Sequence, residues 1–232
     1  MKMATAVPSP RHIKCVVVGD SGVGKTGLIK TFIEDKFPTD LQPCTLHVDY
    51  EKSVVIGRRE LQLRMYDTCA SECDTTDQIR QMSYPGTDIF LVCCSVDDQT
   101  SLENVEKKWE PEIRHFYGRD AKIVLVATKT DLRDCSQSRR RQSRRQSDQS
   151  EQIRSSQVRD LCEKLQLLTY FEGSAAASLD FVKEVFDFAI TEATGLKHDS
   201  RKKSTFASKC VQWLKKCCCK QDSLVGKGLR RL

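Results

Sequence analysis

The chain has 232 residues, 39% hydrophobic and 30% charged, which suits one domain with tails and a core of its own. No apolar run approaches the roughly 20 residues a membrane span requires, and the opening MKMATAVPSPRH lacks the apolar stretch of a signal peptide. The net charge of +6 is uneven: residues 196–232 hold 11 Lys and Arg against 2 Asp and Glu, and the rest is slightly acidic, so the basicity suits an acidic surface such as a membrane leaflet better than a nucleic-acid-binding core.

In chain order, Ile13–Val18 is a short apolar run ending in glycine, which predicts a buried parallel strand. A glycine-rich turn, Gly19–Thr26, follows, and Leu28, Ile29, Phe32 and Ile33 recur at helical spacing. Val48–Ile56 and Glu60–Tyr66 flank Gly57-Arg58-Arg59 and predict a β-hairpin. Asp88–Val96 and Lys122–Ala127 are further buried-strand candidates. Between them Ser101–Phe116 reads as a helix that Pro111 should kink or break. Leu167–Phe171 is the expected last strand. Leu179, Val182, Val185, Phe186 and Ile190 give the last helix its apolar stripe. The alternation of strands and helices predicts an α/β fold, a doubly wound, mostly parallel six-stranded sheet with helices on both faces.

The twelve cysteines do not form a disulfide framework or a metal-ligand pattern: Cys15, Cys93 and Cys94 lie in apolar runs and Cys217, Cys218 and Cys219 are adjacent. A reducing compartment is expected. Asp134–Gln152, DCSQSRRRQSRRQSDQSEQ, is polar and low in complexity and reads as a solvated insertion. It lacks the interleaved aromatics of a nucleic-acid-binding surface, and no nucleic-acid partner is expected. The expected organisation is an extension over 1–11, one domain over 12–196 carrying that insertion, and a basic, cysteine-rich tail over 197–232.

Chemistry enters with Gly19-Asp20-Ser21-Gly22-Val23-Gly24-Lys25-Thr26, which matches G-x₄-G-K-[ST]. Glycines in such a loop let backbone N–H groups surround phosphate oxygens, Lys25 supplies charge to the β- and γ-phosphates, and Thr26 offers a hydroxyl to Mg²⁺. The helix start behind it adds partial positive charge. Residues Ser21 to Gly27, that is Ser21, Gly22, Val23, Gly24, Lys25, Thr26 and Gly27, are therefore the candidate phosphate-binding set. Asp131, in Thr128-Lys129-Thr130-Asp131, suits guanine, because one carboxylate accepts from both N1–H and N2–H₂; Lys129 would lie along the base. Asp67, at the end of a strand in Tyr66-Asp67-Thr68, is a candidate second contact to Mg²⁺, direct or through water.

Taken together these motifs resemble the Ras superfamily of small GTPases, and within it the Rho family. GDSGVGKT resembles its phosphate loop, and Phe37-Pro38 with Pro43-Cys44-Thr45 resembles switch I. Tyr66-Asp67-Thr68 with Ser83-Tyr84-Pro85 resembles switch II and its exit, and Thr128–Asp134 the Rho form of the guanine motif, with Thr128 in place of Asn. Glu172-Gly173-Ser174-Ala175 resembles the final base-contacting motif. The likeness runs over about residues 12–194, and KKWEPEIRHF and WLKKCCC are similar to the RhoU/RhoV (Wrch/Chp) branch. The resemblance implies a GTP/GDP-binding, Mg²⁺-dependent switch in signalling to the cytoskeleton and cell polarity, with effector proteins at both switches and exchange factors as partners. It implies that Phe37 lies against guanine, that Ser174 and Ala175 contact the base through backbone groups, and that Thr45 binds Mg²⁺ and γ-phosphate. Switch I is one residue longer than the family pattern, so Cys44 competes for that place; a thiol is a poor Mg²⁺ ligand, which favours Thr45.

The chain departs from the family where hydrolysis is performed. Cys69-Ala70-Ser71 stands where the family has Ala-Gly-Gln. The glutamine orients the attacking water, and Ser71 is too short for that. Ala70 restricts a backbone position that glycine leaves free. Ser21 replaces a phosphate-loop glycine and crowds the transition state. The expectation is a GTP-loaded protein that hydrolyses slowly; the alternative is a normally cycling GTPase controlled by exchange factors and GTPase-activating proteins. The chain ends Leu229-Arg230-Arg231-Leu232 without a prenylation box. Cys217, Cys218 and Cys219 beside Lys215, Lys216 and Lys220 are instead candidate S-acylation sites, which with the basic charge supply two anchoring signals for an anionic membrane. The expected location is the cytoplasmic face of the plasma membrane or endomembranes, with a cytosolic pool.

Overall fold

The computed structural model describes residues 11–40, 48–56, 59–70, 74–133 and 152–196. The chain divides into two units, Met1–His198 and Asp199–Leu232, and every described residue belongs to the first. Cys44, Thr45, Ser71 and Cys217–Cys219 lie outside the described residues, as does the polar insertion apart from Gln152.

The elements run β1 (Arg11–Gly19), α1 (Lys25–Glu34), β2 (Val48–Ile56), β3 (Arg59–Asp67), α2 (Asp74–Met82), β4 (Ile89–Ser95), α3 (Gln99–Asn104), one π-helical turn (Val105–Trp109), α4 (Glu110–Tyr117), β5 (Ile123–Thr128), α5 (Ser155–Lys164), β6 (Thr169–Glu172) and α6 (Leu179–Thr194). The six strands form one sheet in the order β2-β3-β1-β4-β5-β6. Only the β2–β3 pair is antiparallel; β3–β1, β1–β4, β4–β5 and β5–β6 are all parallel.

The central strands are continuously apolar because both faces of the sheet are covered. Cys15 and Val17 of β1 face one core, with Leu28, Ile29 and Phe32 of α1 and Val182, Val185 and Phe186 of α6. Val16 and Val18 face the other, with Leu102, Val105, Trp109, Ile113 and Val158. Phe32 stacks on Phe186 with ring centroids 4.1 Å apart, joining α1 to α6. Edge strand β2 alternates in exposure instead, and Val55 is open to solvent.

The expected hairpin forms, with β2 Val48–Ile56 paired to β3 Arg59–Asp67. Two helices lacked an apolar stripe to announce them. In α2 the apolar residues Ile79 and Met82 are exposed, and the residue it buries is Arg80. In α5 only Val158 and Cys162 are buried. The expected break at Pro111 takes a specific form. Glu110 N–H donates to Val105 C=O, widening the turn just before α4, and Pro111 sits in the first turn of that helix, where its missing N–H costs little.

Cys15, Cys69, Cys93, Cys94 and Cys162 are free thiols. Burial pushes the Cys93 thiol up to about 12, with Lys25 opposing and Asp67 adding to the shift, and burial likewise raises Cys15 and Cys94. Such thiols are inert. Iodoacetamide at neutral pH followed by peptide mapping should therefore label the half-buried Cys69 well before Cys15, Cys93 or Cys94; equal labelling would contradict this packing. Among the described residues no helix is long and apolar enough to cross a membrane.

Candidate functional site

The parallel strands all end on one edge of the sheet, and the candidate residues gather there. The strand order reverses direction around β1, so the loop after β1 occupies the switch point where α/β sheets bind ligands. Gly19 approaches β4 so closely that a Cβ would lie 2.2 Å from the Cys93 carbonyl oxygen, and it adopts φ +141°. Gly22 and Gly24 turn the loop at φ +75° and +102°. No side chain sits comfortably in these conformations. Ser21 and Gly22 are exposed, Val23 and Gly27 are buried, and the helix begins at Lys25.

Lys25 is 6% exposed. Its Nζ donates to the carbonyls of Gly19 and Asp20, both at 2.7 Å. The ammonium thus lies across the mouth of the loop, next to the N-terminus of α1, and a phosphate there would meet both positive features. The Thr26 hydroxyl donates to Asp67 Oδ2 at 2.6 Å, and Asp67 is fully buried at the end of β3. One hydroxyl and one carboxylate facing each other suit Mg²⁺, which takes few protein oxygens and keeps waters. Thr26 and Asp67 are the residues that would hold it; bound there, the ion would neutralise phosphate charge.

The base motifs converge from β5 and β6. Gly173 N–H donates to Ala127 C=O at 3.0 Å, and Thr130 N–H to Gly173 C=O at 3.3 Å, which ties the two motifs together. Gly173 has no room for a Cβ, which would fall 2.2 Å from the Phe181 ring. Ser174 is buried and its hydroxyl accepts from Ala177 N–H, leaving Ala175 half-buried at the surface. Lys129 takes a left-handed conformation at φ +58°, and its ammonium lies 3.9 Å from Asp97. Strain in a non-glycine residue at a loop end is typical of ligand clamps. Asp131 and Phe37 are half-buried.

Thr128 plays a part that its motif did not reveal. Its hydroxyl is hydrogen-bonded to the Val23 carbonyl of the phosphate loop and to the Cys94 carbonyl at 3.0 Å. It therefore braces the loop against β4 and β5. Asp97 was also missed, although a carboxylate just beyond the end of a parallel strand is a recognisable signal. Arg133 was missed too: it donates to Glu172 and to the Ile153 carbonyl, at 2.8 and 2.6 Å. Ala70 is half-buried after β3.

Compared with protein-family models, residues 14–195 match the Ras family. The chain belongs to the Ras family. This small GTPase has the six-stranded, mostly parallel sheet of that fold. Members bind guanine nucleotide, generally with Mg²⁺, and act as switches that engage effectors and regulators. In this GTPase, Lys25→Ala should weaken GDP binding roughly a hundredfold through loss of a charge-assisted contact to phosphate. Equilibrium titration with a fluorescent GDP analogue measures it, and an unchanged affinity would remove Lys25 from the site.

Proposed function

We propose that this small GTPase is a Rho-type switch that stays mostly GTP-bound because its hydrolytic apparatus is degenerate while its nucleotide cradle is intact. One contrast carries the reading. The loop, Lys25, Thr26 and Asp67 retain the groups and contacts that nucleotide binding needs. The positions that would orient water and admit it to the γ-phosphate hold Ser71, Ala70 and Ser21. Binding depends on charge and backbone amides, which these three changes leave in place. Hydrolysis depends on groups that act only in the transition state, and those are the ones replaced. Ser21 is exposed on the phosphate loop, so its side chain stands on the open side, where a partner's arginine would approach. Phe37, Thr45, Lys129, Asp131, Ser174 and Ala175 are the remaining nucleotide contacts in this reading, with Thr45 and the switches presented to effectors.

Single-turnover hydrolysis of bound GTP tests it. The wild-type rate should fall at least about tenfold below that of a variant carrying Ser21→Gly, Ala70→Gly and Ser71→Gln. Protein denatured straight after purification should release mainly GTP. Equal rates together with mainly GDP would favour a normally cycling enzyme and overturn the proposal.

The tail reading rests on sequence. Three adjacent cysteines flanked by lysines supply both acyl and electrostatic attachment, and either signal alone gives only marginal membrane binding. Changing Cys217, Cys218 and Cys219 to serine should move the protein from the membrane to the soluble fraction on cell fractionation. Undiminished membrane association would exclude acylation there.

A further inference from the structure

The carboxylate of Asp20 sits in the phosphate loop, one residue before Ser21, where a negative charge would repel a nucleotide. Both of its oxygens are turned away and occupied. Trp109 Nε1 donates to Oδ1 at 2.8 Å and Asn104 Nδ2 donates to Oδ2 at 2.6 Å. The backbone carbonyl of the same residue accepts from Lys25 at 2.7 Å.

The π-helical turn makes this double contact available. In an α-helix two residues five apart project about 140° from each other. A π turn, with its wider i→i+5 bonding, brings such residues onto nearly the same face. Asn104 and Trp109 are five apart and bracket the turn, so both reach one carboxylate.

Trp109 is itself held from the other side. The Arg80 guanidinium of α2 lies 4.9 Å from the centre of its ring, and Lys108 lies over the ring at the same distance. Arg80 forks onto Glu112 at 2.9 and 2.7 Å, pairs with Asp77 at 2.8 Å and reaches the Cys69 carbonyl at 3.4 Å. Tyr84 donates to the same Glu112 at 2.5 Å. Arg80 and Trp109 are both buried, at 1% and 0% exposure. Burial opposes the Arg80 charge, and Glu112, Tyr84 and Asp77 together outweigh it, so the guanidinium's pKa ends above its ordinary value.

We propose that Arg80 is a positioning residue: stacked on Trp109 and forked onto Glu112, it couples the seating of α2 and the Cys69 segment to the Asp20 carboxylate, and so sets the lifetime of the bound guanine nucleotide. When α2 is seated, Trp109 is pinned and the carboxylate is held out of the phosphate cradle. When a partner lifts α2, Trp109 loses its clamp, Asp20 is released toward the phosphates, and the nucleotide leaves faster. The mechanism needs no change in the residues that touch the ligand.

The test is the release of a fluorescent GDP analogue from the full chain loaded with Mg²⁺, measured well below the melting temperature. Trp109→Phe keeps the ring and removes the donor to Asp20. Arg80→Lys keeps the charge and removes the planar fork. Each should speed release about tenfold, the size expected for one hydrogen bond to a charged group. The double variant should be no faster than the faster single one, because both act through one contact. Ile190→Val, a buried change on α6 in the opposite core, serves as the stability control; it should lower Tm and leave release unaltered. Unchanged release in both single variants, effects that multiply in the double variant, or an equal acceleration in Ile190→Val would each overturn the proposal.

Discussion

An ammonium almost withdrawn from water is the constraint around which this molecule is arranged. Lys25 keeps only 6% of its surface exposed and meets two backbone carbonyls. A buried charge is tolerated only where it is paired or hydrogen-bonded, and here the loop's own carbonyls accept from it. The close approach of Gly19 to β4, the left-handed glycines and the Thr128 hydroxyl beneath Val23 all serve to hold the loop in the one shape that presents this charge. The parallel sheet brings Asp67, Thr128 and Ser174 to the same edge, so the fold and the site share a single geometrical requirement.

The proposed separation of binding from hydrolysis follows from where each set of groups is carried. The cradle is built from strand ends and a helix start inside two packed cores. A change there disturbs packing as well as ligand contact. Of the positions that would serve hydrolysis, Ser21 and Ala70 lie on loop segments, the first exposed and the second half-buried. Substitutions at such places touch fewer neighbours, so catalytic capacity is the easier property to lose while the folded, ligand-competent state persists.

The strands β1, β4 and β5 were legible because burial on both faces leaves a run of consecutive apolar residues. The phosphate loop was legible because backbone donors can converge only where glycines are correctly spaced. Helix α2 was not, since its inward face is an arginine and its apolar residues point to solvent. Pro111 signalled a disturbed helix, yet nothing in the local pattern specifies a π turn, and its bringing of Asn104 and Trp109 to Asp20, far away in sequence, is visible only in the tertiary structure. Thr128 was read as part of the guanine motif, but its contact with Val23 arises only when the end of β5 meets the loop after β1. Arg133 was invisible for the same reason, its partner Glu172 being brought to it by the tertiary structure, whereas Asp97 carried the local sign of a carboxylate beyond a strand end and only its pairing with Lys129 was hidden.

Arg133 and Gln152 have a consequence for how this chain tolerates change. The Arg133 guanidinium grips the Ile153 carbonyl, and Gln152 donates to the Leu132 carbonyl at 3.3 Å. The described residues on either side of the intervening segment are thus stitched together, and through Arg133 and Glu172 they join the two candidate base-contacting motifs. Doubling the length of such a tethered excursion costs only about 0.6 kcal/mol in closure entropy. This hem in the fabric is a natural port for added sequence: material can lengthen, shorten or change composition there while Asp131 and Ser174 stay in register.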